Sequence, residues 1–179
     1  MSFSPFKRMK LRMQDMSTVS ALCQGAEQYA HKNGEESPGA EHFLLSAFDL
    51  PDSTARRVFE RLGANPDELE QAIKKQYSEA LSDIGLDASK VNLDDYDVKV
   101  QSPNRLLYES KPSAQSLMKE LVELRKTDKD IPLLGLHVIE VLSAKKLGVV
   151  ARALKLMGIT QAALDDAVRE ELNSYKLSA

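Results

Sequence analysis

The sequence predicts an all-α protein assembled from two copies of one four-helix repeat. Three observations carry this reading. Sliding the chain against itself by 95 residues aligns positions 17–77 with 112–172 without a gap. Within each copy, apolar residues recur at the three-and-four spacing of a helix and do not alternate as in a strand. With 42% hydrophobic residues, no Trp and 6% aromatics, the core is expected to be aliphatic, which favours helices over sheet.

In the repeat register Leu22 meets Leu117, His42 meets His137, Arg57 meets Arg152, Gly63 meets Gly158, Leu69 meets Leu164 and Ala72 meets Ala167. Six identities are few, so the argument rests on the shared apolar pattern. Val19, Leu22, Cys23, Ala26, Tyr29 and Ala30 form one stripe of a first helix. Their counterparts are Ala114, Leu117, Met118, Leu121, Leu124 and Arg125, with only the last turned polar. A second helix is expected over 41–48 and 136–143. It is nearly apolar all round and therefore buried. A third, over 53–62 and 148–157, ends at Gly63 or Gly158, where a left-handed residue closes a helix cheaply. The fourth starts at once. Asn65 supplies an N-cap, Pro66 the first helical position and Glu68 a capping-box acid, and Thr160 is the cap in the second copy.

Residues 1–16 form a basic arm in which Lys7, Arg8, Lys10 and Arg12 interleave with Phe3, Phe6, Met9 and Leu11. It is expected to be a flexible or partly helical extension, with a targeting or surface-binding arm as the alternative. Repeat one is assigned to 17–81, a linker to 82–110 and repeat two to 111–175. The linker is rich in Asp, Asn and Ser, and the alternation at Tyr96, Val98 and Val100 permits a short strand.

A chain of 179 residues can bury one sizeable core, or two packed together, without disulfides or metals. Cys23 has no partner for an intramolecular disulfide and reads as a small buried hydrophobe, consistent with a reducing compartment. A net charge of -3 gives no attraction to nucleic acid or anionic membrane. No run has the roughly 20 apolar residues of a membrane span. The expectation is a soluble, cytoplasmic protein.

Candidate chemistry is sparse. The glycines at 34 and 39 have the spacing of a phosphate loop, but Ala40 and Glu41 follow where Lys and Ser or Thr would hold phosphate and magnesium. One Cys and three His offer neither metal-ligand spacing nor a nucleophile with its base. No enzyme activity, cofactor or metal is expected. His42 and His137 read as structural residues that cap or bond a neighbouring backbone group, and the charge runs Lys74-Lys75 and Arg169-Glu170-Glu171 as solvated faces of the fourth helices.

The stretch Gly39-Ala40-Glu41-His42 with its following aliphatic run, and then 55–64 closing in Leu62-Gly63-Ala64, resembles the N-terminal repeat of the Clp/Hsp100 unfoldases. The resemblance extends over 17–172. It implies a pseudo-twofold bundle of about eight helices that binds proteins, here in a stand-alone form without the ATPase modules. It further implies an adaptor or accessory subunit of a Clp-type chaperone-protease, with the Clp ATPase, its peptidase or their substrates as partners. The alternative is a regulatory protein reusing the fold to bind an unrelated protein or peptide. In some bacterial relatives the motif's glutamate lies in a pocket for phosphorylated arginine. Here Ala40 replaces the preceding Thr and Leu136 replaces the acid in the second copy, so Glu41 reads first as a carboxylate at a helix start. Glu41, Tyr29 and Arg125 are the candidate partner-binding residues, the last because it marks where the two copies diverge.

Overall fold

The computed structural model describes residues 5–83 and 110–178. Eight helices, and no strand, are present among the described residues. They are α1 (Pro5–Lys32), α2 (Ala40–Phe48), α3 (Thr54–Arg61) and α4 (Pro66–Asp83) in the first repeat. The second contains α5 (Pro112–Thr127), α6 (Gly135–Ser143), α7 (Val149–Leu156) and α8 (Gln161–Ser178). The possible strand at Tyr96–Val100 lies outside the described residues.

Four of the boundaries have a local cause that the sequence announces. Asn65 accepts the Asp67 N–H at 3.0 Å and Thr160 accepts the Ala163 N–H at 3.2 Å, starting α4 and α8. Glu68 makes no return bond among the described residues. Gly63 (φ 63°) and Gly158 (φ 72°) end α3 and α7 in the left-handed region, as their placement predicts. From Pro5 onward the basic arm is helical and runs without a break into α1. Its outward side holds Phe6, Met9, Met13 and Met16 in solvent.

The stripes pack as their spacing requires. Leu22, Cys23, Ala26 and Ala30 of α1 are buried, as are Ala114, Leu117, Met118 and Leu121 of α5. In α2 every residue is buried and in α6 all but Glu140 and Ser143 are, so these two helices form the centre and pack on each other. Around them the repeats interlock. In each repeat the first helix lies on its own second helix, but α3 packs against α8 and α4 against α7, so the third and fourth helices are exchanged between repeats. The crossing is close at Gly135, where an added Cβ would sit 2.9 Å from the Ala47 carbonyl and 3.2 Å from the Ala55 methyl.

One charge run departs from its expected place. Arg169 and Glu170 face solvent, but Glu171 is 1% exposed. A helix turns about 100° per residue, so Glu171 shares the inner face with Leu164, Ala167 and Val168. It is held there by α3 of the other repeat. Its carboxylate accepts from Arg57 Nε at 2.5 Å and from Arg61 Nε and Nη2 at 3.0 and 2.9 Å. The pseudo-symmetric pair is neutral on one side: Arg152 Nε donates to Gln76 Oε1 at 2.9 Å.

Candidate functional site: the paired starts of the central helices

The two central helices begin with the same device. His42 is the third residue of α2, and its Nδ1 accepts the Gly39 N–H at 2.9 Å while its own N–H bonds the Gly39 carbonyl. His137 does the same for α6 through the Leu134 N–H, again at 2.9 Å. Each imidazole is thus the return arm of a capping box in the position usually taken by Glu or Gln. Accepting at Nδ1 puts the proton on Nε2 and keeps the ring neutral. Burial pushes His137 down to about 4, with Arg125 adding to the effect. Burial lowers His42 as well, against the pull of Glu41 and Glu35.

The next amides of each helix are satisfied by the opposite repeat, with different chemistry on the two sides. At α6, Asp52 accepts the Gly135 N–H at 3.2 Å and Thr54 Oγ1 accepts the Leu136 N–H at 2.9 Å, while donating to Asp52 at 2.5 Å. The pseudo-equivalents of Asp52 and Thr54 are Leu147 and Val149, which offer no acceptor. At α2 the Ala40 N–H goes instead to Ser113 Oγ at 3.2 Å.

Glu41 folds back over this start, which Gly39 permits because a Cβ there would lie 2.3 Å from Glu41 Oε1. The carboxylate is 5% exposed and accepts the Tyr77 hydroxyl of α4 at 2.6 Å. Lys111, just before α5, brings its ammonium 3.5 Å from Glu41 Oε1, bonds Glu35, and lies 5.5 Å over the Tyr77 ring. Burial and then the bond to Glu41 raise the Tyr77 hydroxyl. Glu35, Glu41 and His42 offer ligand atoms within 4.8 Å of one another. The Lys111 ammonium already sits against both carboxylates, and His42 Nδ1 is taken by the Gly39 amide. The arrangement is therefore a half-buried ion cluster that supplies its own cation.

The other two candidate residues lie elsewhere. Tyr29, half-buried on α1, donates to Asp49 at 2.7 Å with Lys32 5.7 Å over its ring. Arg125 on α5 bonds Asp15 of α1 at 3.0 and 3.1 Å, and Asp15 also accepts the Leu133 N–H at 2.7 Å. Glu41, Tyr29 and Arg125 thus belong to three separate interactions. Lys111, Tyr77, Asp52 and Thr54 were not singled out in the sequence. A signal existed only for the boxes, as a His three residues into each apolar second helix.

Two interlocked helical repeats, each central helix started by a reciprocal histidine and capped from the opposite copy, define an all-α domain of duplicated repeats. Residues 17–95 match the Clp repeat (R) N-terminal domain family. The fold is similar to that in the crystal structure of the N-terminal domain of the caseinolytic protease associated chaperone ClpD from Arabidopsis thaliana. That match has a TM-score of 0.52 and 17% identity, and it covers 97% of this chain and 99% of the other. The family match thus falls on the first repeat, and the likeness of fold extends over both. No curated protein sequence shows significant similarity to it. Among the described residues no helix is long and apolar enough to cross a membrane.

Proposed function

We propose that the protein is a non-catalytic binding module that docks onto a Clp-type chaperone-protease or presents clients to it. The observation that carries this is the Clp N-terminal fold extending over both repeats. The ion cluster adds support of a negative kind: Glu41, whose counterpart recognises a ligand in some relatives, is here engaged by Tyr77 and Lys111. Recognition therefore falls to surfaces away from that carboxylate. Of the candidate residues Tyr29 is the most accessible, an aromatic edge between α1 and the end of α2, and Arg125 serves chiefly to tie α5 to α1.

The test is affinity capture with tagged protein at physiological salt, with and without ATP, read by mass spectrometry. Recovery of a Clp ATPase or its peptidase core, weakened by Tyr29→Ala, is the expected result. Reproducible recovery of an unrelated partner without Clp components would overturn it in favour of a regulatory protein that has reused the fold.

A further inference from the structure

The two repeats differ where the second, third and fourth helices meet. In repeat one Phe48 and Phe59 fill that corner edge to face, with ring centroids 4.8 Å apart. The positions 95 residues later hold Ser143 and Leu154. The lost ring volume leaves a groove of about 390 Å³ between the end of α6, α7 and the start of α8. Its floor is Leu142, Leu154 and Leu164, all buried.

The charge of the rim has changed along with the volume. Lys145, Lys146 and Lys155 line the groove where repeat one has Leu50, Pro51 and Glu60. The first turn of α4 contains Asp67 and Glu68, whereas the first turn of α8 contains no acid. Lys145 is paired with Glu120 of α5. Lys146 and Lys155 have no ion-pair partner among the described residues. An apolar slot is thus bordered by two uncompensated cations in a protein whose net charge is negative.

We propose that this groove binds a peptide segment in which a bulky apolar side chain is flanked by carboxylates. The side chain takes the volume that Phe48 and Phe59 occupy in repeat one, and the carboxylates meet Lys146 and Lys155. The apolar anchor supplies most of the affinity, and the rim charges select acidic over basic sequences. This deepens the reading of the domain as a protein-binding module without depending on its attachment to a Clp machine. It is therefore tested on purified protein, where its failure would leave Clp capture standing, and the reverse.

The probe is a fluorescein-labelled decapeptide of Glu and Asp around a central Leu-Phe pair, followed by anisotropy on the full chain. Saturable binding is expected, and Ser143→Phe, which restores the ring of repeat one, should weaken it by about 10-fold or more while the protein melts no earlier than wild type. Lys146→Glu combined with Lys155→Glu touches only exposed side chains, and it should lower affinity several-fold and remove the salt dependence. Should Ser143→Phe melt early, this double variant decides. Three results would overturn the proposal: no binding at millimolar peptide, equal binding by an all-Glu peptide, or wild-type affinity in both variants.

Discussion

Glu171→Gln turns the charged crossing between α3 and α8 into the neutral one that α7 and α4 already use. The wild-type carboxylate accepts three guanidinium hydrogen bonds, one from Arg57 and two from Arg61, while 2% exposed. A glutamine whose oxygen takes the place of Oε2 keeps both Arg61 bonds and presents its NH2 group to Arg57. One bond to a charged donor is lost, nominally about 1.5–3 kcal/mol, and the amide NH2 group is left facing the Arg57 guanidinium. The guanidinium groups are 42% and 33% exposed and can rehydrate, which reduces the net loss to about 2 kcal/mol. For a chain of this size that corresponds to a Tm lower by roughly 4–8 °C. Thermal and urea unfolding followed by circular dichroism measure it, and the neutral crossing supplies the internal control. Arg152→Ala, which breaks a bond between exposed neutral and charged partners, should cost less than about 1 kcal/mol, and Arg57→Ala clearly more. A Tm change under about 1 °C for Glu171→Gln, or equal effects of the two arginine variants, would refute the reasoning.

The buried histidines make stability depend on pH. Their folded-state values lie below the unfolded value near 6.5, so as pH falls the unfolded chain binds protons first. The stability they contribute is complete above about pH 6.5; that of His137 is lost toward about pH 4, at about 1.4 kcal/mol per pH unit inside that window, and His42 acts in the same direction. Urea midpoints across the window should fall accordingly and fall less steeply in His137→Gln; parallel slopes would contradict the assignment. Thr54→Val removes the only acceptor described for the Leu136 N–H and should cost about 1–3 kcal/mol, with Thr54→Ser restoring most of it. Equal stability of the valine and serine variants would show that the contact across the repeats carries no weight.

Much of the fold was legible because helical periodicity reports directly which face of an element is buried. The stripes at Leu22–Ala30 and Ala114–Leu121, the all-round burial of α2 and α6, and the glycine stops at 63 and 158 are properties of short segments. What periodicity does not report is the identity of the neighbour. That α3 packs on α8 and not on α4 leaves no trace within either helix, so Glu171 read as one more surface acid although it faces two arginines more than a hundred positions away. The ion cluster was hidden for the same reason, since Glu35, Glu41, Tyr77 and Lys111 come from four separate segments. The asymmetry at Phe48 and Ser143 stood in the sequence register all along, but a missing ring becomes a groove only once the surrounding helices fix the space it leaves.

The exchange of third and fourth helices also says something about how such a chain could arise and fold. What α3 gives to α8, α7 gives to α4, which is the self-complementary geometry of a twofold homodimer. A single repeat on its own would leave bare the faces that the other repeat now covers, and it would recover that burial by pairing with a second copy of itself. Joining two such copies in one polypeptide makes the encounter intramolecular, so assembly no longer depends on protein concentration. It also frees each half to diverge while the other holds the partnership together: one half has a filled aromatic corner, and the other an open one.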